Sequence, residues 1–261
     1  FKSKSKKAVN LSDWDASYKK AFSKIKASKF FEGAKGQTFN FPLENGTTVL
    51  ALGLGEKESV SLETLRCEAA SACKKILNQY SEVVLRVSPF AIKNDLERSL
   101  ASIIQGFLLS SYKFEKHLSS KSEQKLKKVV LEVDSKDTKV AKKALQESLI
   151  ICESVNFCRD LVNEPPNILN SETYAKLVEK DSKKLNRVKV KVLGRQQLKK
   201  EKMGMFLSVN AGSAYEPRLV HLTYTPKKVT KKTRHIVLVG KGLTFDTGGY
   251  SLKPSGSMMN M

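Results

Sequence analysis

The sequence predicts an α/β fold, and three observations carry that reading. Short β-branched runs alternate with stretches whose apolar residues recur at helical spacing. The 261 residues are about two domains' worth of chain, enough to bury real cores. A composition of 40% hydrophobic and 28% charged residues suits a globular chain, and no apolar run reaches the length of about eighteen residues that spans a bilayer. No membrane segment is therefore expected.

Residues 1–60 read as short strands and turns. Gln37 to Phe41 alternates polar and apolar, Glu44-Asn45-Gly46 is a turn signal, and Thr47 to Leu52 is the returning strand, ended by Gly53 and Gly55. Leu62, Leu65, Ala69, Cys73, Ile76 and Leu77 recur at helical spacing. Val83 to Val87 is a strand closed by Ser88-Pro89. Leu96, Leu100, Ile103, Ile104, Phe107, Leu108 and Phe114 form the clearest amphipathic stripe of the first half, and Lys127 to Val133 is a further strand. This alternation implies a parallel or mixed sheet covered on both faces.

A long helix is predicted from about Asp137 to Leu161, with Val140, Ala144, Leu145, Leu149, Cys152, Val155 and Cys158 on its apolar side. Asn163 to Asn167, with two prolines, ends it. Asn170 or Ser171 caps a helix through Leu185. Val188 to Val192 follows as a strand, Arg195 to Lys202 as a short helix, and Leu219 to Tyr224 and Ile236 to Val239 as two more strands.

Cys67, Cys73, Cys152 and Cys158 form two C-x5-C pairs and no C-x-x-C, so they read as buried free thiols in a reducing compartment. His117, His221 and His235 are scattered singly, so any metal must be held by carboxylates and lysine. The basic start, Phe1 to Lys7, leads into Ala8-Val9-Asn10 and not into the apolar core of a signal peptide. A net charge of +21, with clusters such as Lys183-Lys184 and Lys231-Lys232, permits attraction to nucleic acid. A solvated lysine-rich surface is favoured over it, because the clusters lack interleaved aromatics and no DNA-binding motif occurs.

The stretch that points to chemistry is His235 to Pro254, HIVLVGKGLTFDTGGYSLKP. Ile236 to Val239 reads as a buried parallel strand, which leaves Lys241 at its carboxyl end, where open α/β sheets bind ligands. Asp246, Gly248-Gly249 and Lys253 follow. Asp246 is an oxygen ligand able to bridge two divalent cations. Lys241 could ligate only as a neutral amine, a form that a neighbouring cation pair favours. Lys253 would keep its proton and stabilise a carbonyl oxygen as it becomes tetrahedral. The competing reading is a glycine-rich loop with solvated turn residues. Neither a Walker A loop nor a dinucleotide G-x-G-x-x-G is present.

VGKGLTFDTGGYSLKP strongly resembles the metal-binding segment of the leucyl aminopeptidase family, the M17 cytosol aminopeptidases, whose pattern is V-G-K-G-x-T-F-D-[ST]-G-G-x-x-x-K-P. Arg159-Asp160-Leu161-Val162-Asn163-Glu164-Pro165-Pro166-Asn167 resembles the family segment that opens the catalytic domain, and Met203 to Ser213 its M-G-x-x-L-x-V-x-x-G-S stretch. The resemblance implies an N-terminal macro-domain-like α/β domain over 1–136, a connecting helix over 137–163, and the first part of an α/β catalytic domain with a mixed sheet over 164–261. It makes Lys241 and Asp246 metal ligands and Lys253 a catalytic, substrate-binding lysine. Met258 and Met261 match the family's M-x-x-M, whose second methionine lines the pocket for the substrate's first side chain; ordinary filling is the other reading, weighing about equally for Met258 and less for Met261.

By the same resemblance the enzyme removes N-terminal residues from peptides with a free α-amine, uses two divalent metals (manganese, zinc or magnesium) with bicarbonate as base, forms a homohexamer and is cytoplasmic. A DNA-binding or scaffolding role of the same fold, and an inactive family member, are the alternatives. The next aspartate ligand is expected about three residues beyond Met261, and the family's N-T-D-A-E-G-R segment is not among these residues. The chain is thus expected to hold part of a two-metal site and to be inactive alone, its other half following in the same protein or on a separate chain.

Overall fold

The structure, a computed structural model, describes residues 16–27, 29–44, 46–87, 92 and 95–259. The basic N-terminal arm, Asn45, Ser88-Pro89 and Met261 lie outside them. The chain divides into two compact units, Phe1–Asp160 and Leu161–Met261.

In the first unit, helix α1 (Ala16–Ala27), which the sequence pattern does not announce, precedes strands β1 (Thr38–Pro42) and β2 (Thr48–Leu52). These pair antiparallel, Thr38 opposite Leu52 and Pro42 opposite Thr48. The predicted turn joins them: the Leu43 amide donates to the Thr47 carbonyl at 2.8 Å, and Gly46 takes φ +80°. Helix α2 (Leu62–Ile76) starts on a capping box in which Ser61 and Thr64 each receive the other's backbone N–H. Strand β3 (Glu82–Arg86) pairs in parallel with β4 (Lys128–Glu132), and helix α3 (Leu96–Ser110) lies between them in sequence, capped by Asp95. A parallel pair needs such a crossover, so the alternation in sequence becomes topology.

The main core is formed by one face each of α2 and α3. Leu65, Ala69, Cys73 and Ile76 meet Leu100, Ile103, Ile104 and Phe107 there. The helices cross closely because residue 106 is glycine: a Cβ on it would stand 2.5 Å from the Arg66 carbonyl oxygen.

Helix α4 (Thr138–Asn163) is continuous over 26 residues. Its buried side shares only Ala144 and Cys152 with the predicted stripe. Ala141, Ala144, Ser148 and Cys152 are buried, while Leu145, Leu149, Val155 and Cys158 are exposed. Small residues at three- and four-residue spacing let the helix lie close to the core, and that packing outweighs the larger side chains' hydrophobicity. Near its end Arg159 donates to the Leu109 carbonyl at 2.7 Å and lies over the Tyr112 ring at 5.4 Å, while the Tyr112 hydroxyl donates to Asp160 at 2.8 Å. Arg159 thus satisfies a carbonyl in the last turn of α3 that has no partner within its own helix.

In the second unit, Asn170 caps α5 (Ser171–Ser182) by accepting the Glu172 and Thr173 amides, both at 3.1 Å. Strand β5 (Val188–Leu193) pairs antiparallel with β6 (Leu219–Tyr224), with the short helices α6 (Arg195–Lys200) and α7 (Gly204–Val209) between them. Arg195 ties this unit together, donating to Glu216 at 3.0 Å and to Asn210 at 3.0 Å. Ile236 to Val239 does not form the buried strand that its sequence suggests. The segment has no ladder partner among the described residues, and its side chains are 80–94% exposed. The β-branched pattern gives a propensity, but a strand needs a neighbour to pair with.

Candidate metal-binding loop

Residues 240–254 form an irregular loop that ends where Pro254 leads into helix α8 (Ser255–Met258). Gly248 and Gly249 both adopt positive φ, +88° and +61°. At Gly248 no other residue fits, since a Cβ would stand 2.2 Å from the Ser251 carbonyl oxygen. The turn is closed by the Ser251 amide donating to the Gly248 carbonyl at 3.1 Å and the Lys253 amide donating to the Thr247 carbonyl at 2.9 Å.

That turn brings the Asp246 carboxylate and the Lys253 ammonium together. Lys253 Nζ donates to Asp246 Oδ2 at 3.0 Å, and the Gly248 amide donates to Oδ1 at 2.8 Å. Lys253 first, then the Gly248 N–H, and least of all Lys241 hold the Asp246 carboxyl below the usual carboxylate range. Lys241 is exposed and makes no hydrogen bond or ion pair with the described residues, so its influence on Asp246 is through space alone. Met258 is half-buried on α8.

The structure therefore pairs two of the three predicted polar residues and leaves the third in solvent. The donor chemistry suits a divalent cation: a carboxylate, an amine and a glycine backbone that admits close approach. Lys241 stands apart from Asp246 in solvent, and among the described residues no three His, Cys, Asp or Glu side chains gather into a group able to hold a metal. Two residues of the quoted motifs have structural roles that the sequence did not reveal. Arg159 clamps α3, and Asn210 accepts Arg195 while donating to the Tyr215 carbonyl at 3.0 Å.

Two family models match in order, the N-terminal domain of the cytosol aminopeptidase family over residues 1–121 and its catalytic domain over residues 156–261. The chain belongs to the cytosol aminopeptidase family. A probable cytosol aminopeptidase of Persephonella marina is 31% identical over 265 residues, covering 99% of this chain and 52% of the relative. One from Corynebacterium diphtheriae is 36% identical over 236 residues, covering 88% of this chain and 44% of the relative. The chain thus spans about half the length of the curated relatives it matches. Among solved structures, the bottromycin maturation enzyme BotP in complex with Mn superposes with a TM-score of 0.77 at 26% identity, covering 99% of this chain and 51% of that one. A tomato leucine aminopeptidase mutant shares the fold, with a TM-score of 0.75 at 23% identity over 92% of this chain and 48% of its own. The α/β architecture is that of the N-terminal domain and the start of the catalytic domain of a cytosol aminopeptidase. No helix among the described residues is long and apolar enough to cross a membrane.

Proposed function

We propose that the chain is the N-terminal domain and the opening of the catalytic domain of a cytoplasmic, metal-dependent leucyl-type aminopeptidase, which removes N-terminal residues from peptides with a free α-amine. The observation that carries this reading is the Asp246–Lys253 pair, held at 3.0 Å on a loop with the family's metal-binding pattern. Asp246 and Lys241 would hold the metal. Two divalent ions would supply Lewis-acid polarisation of the scissile carbonyl. Manganese is the first candidate, because BotP, at 26% identity, was solved with Mn; zinc and magnesium are the others.

Lys253 donates a hydrogen bond to the carbonyl oxygen as that oxygen gains charge, a contact made fully only in the transition state. Met261 would line the pocket for the first side chain, and bicarbonate would act as base. The active assembly would be a homohexamer, with the remaining ligands supplied by the rest of the catalytic domain.

Hydrolysis of Leu-p-nitroanilide by the full-length protein with added Mn²⁺ tests this. Lys253→Ala is expected to lower kcat by about 100-fold or more, the typical cost of removing one oxyanion donor. An unchanged rate would remove Lys253 from the mechanism.

A further inference from the structure

Both oxygens of the Asp246 carboxylate are engaged from within its own loop, in two different ways. Oδ1 accepts the Gly248 amide at 2.8 Å, a contact set by a backbone locked at φ +88°. Oδ2 accepts Lys253 Nζ at 3.0 Å, a contact made by the tip of a flexible four-carbon stem. The amide is neutral and points the carboxylate without opposing a cation on it. The ammonium carries the same sign as any incoming metal ion. The pair is partly shielded, its side chains 33% and 41% exposed, so the repulsion is screened less than in bulk water.

We propose that Lys253 is the resident counter-ion of Asp246 and that a divalent cation must displace it, so that loading the carboxylate and releasing the ammonium toward the substrate carbonyl are one event. This rests on the metal assignment of Asp246 made above. The two contacts then divide the work. Gly248 keeps the carboxylate aimed whether or not Lys253 is present, and Lys253 alone competes with the metal. The competition lowers metal affinity, and in return it keeps the lysine within a side chain's reach of the site.

Mn²⁺ titration of the full-length protein, followed by the free-ion electron paramagnetic resonance signal, tests this. Asp246→Asn identifies the binding that depends on this carboxylate. For that component Lys253→Met and Lys253→Gln are expected to bind Mn²⁺ roughly three- to ten-fold more tightly than wild type, as removal of a competing, partly exposed ion pair predicts. Lys253→Arg, which keeps the charge, is expected to stay within about two-fold of wild type. Neutral variants that bind no more tightly than wild type, or an arginine variant as tight as the neutral ones, would overturn the inference while leaving the metal site standing. A wild-type protein with no Asp246-dependent Mn²⁺ uptake would remove the metal reading, and this inference with it.

Discussion

Cys73 and Cys152 are buried, and burial pushes both thiols up from their ordinary range. Cys67 and Cys158 are exposed, which corrects the expectation that all four are buried. The Cys67 thiol is also raised, first by its hydrogen bond to Glu63 at 3.3 Å. A thiol whose folded pKa lies above its unfolded value of about 8.5 contributes stability that is full below that pH and is lost as pH rises beyond it. Urea midpoints should therefore fall between pH 7.5 and 10, and by less in a Cys73→Ala/Cys152→Ala variant. With Ellman's reagent, two of the four thiols should react in the native chain, Cys158 before Cys67, and all four after unfolding. Equal alkaline slopes, or four fast native thiols, would contradict this burial. Lys241, Asp246 and Lys253 stood out in the sequence through the loop's resemblance to the family's metal-binding pattern; as charges on a glycine-rich loop alone they also read as solvated turn residues. The contact between Asp246 and Lys253 was not legible there, since it depends on two successive positive-φ glycines folding the loop back on itself.

Among the elements, the α2–α3 crossing makes the sharpest demand on one residue. Gly106→Ala would gain helix propensity of just under about 1 kcal/mol but place its Cβ 2.8 Å from that of Ala69 and nearer still to the Arg66 carbonyl. Overpacking of that kind costs about 1–3 kcal/mol, so a net loss of stability is expected, read as a lower urea midpoint at unchanged slope. A variant as stable as wild type would show that the crossing is looser than described. Most elements could be read from period and punctuation: β1 and β2 from alternation around a turn, α2, α3 and α5 from caps and stripes. One reading failed and another held only in part, for the same reason. The inward side of α4 and the pairing of Ile236 to Val239 are both decided by what lies alongside, which local sequence does not encode.

At the scale of the molecule, two compact units correspond to two family models, and the chain covers 44–52% of three relatives. Ile236 to Val239, Tyr250 and Leu252 leave apolar surface open on the second unit, on and just before the Asp246–Lys253 loop. Both observations fit the proposed reading, in which groups outside these residues would complete a metal site at Asp246. The most direct test of that account is a crystal structure of the full-length protein grown with Mn²⁺, with the metal located by its anomalous signal. The account predicts Mn²⁺ within about 2.2 Å of an Asp246 carboxylate oxygen, a second ion sharing that residue, Lys241 Nζ as a ligand, and Lys253 moved off Asp246. Manganese bound elsewhere, with Lys253 still on Asp246 and Lys241 still in solvent, would contradict it.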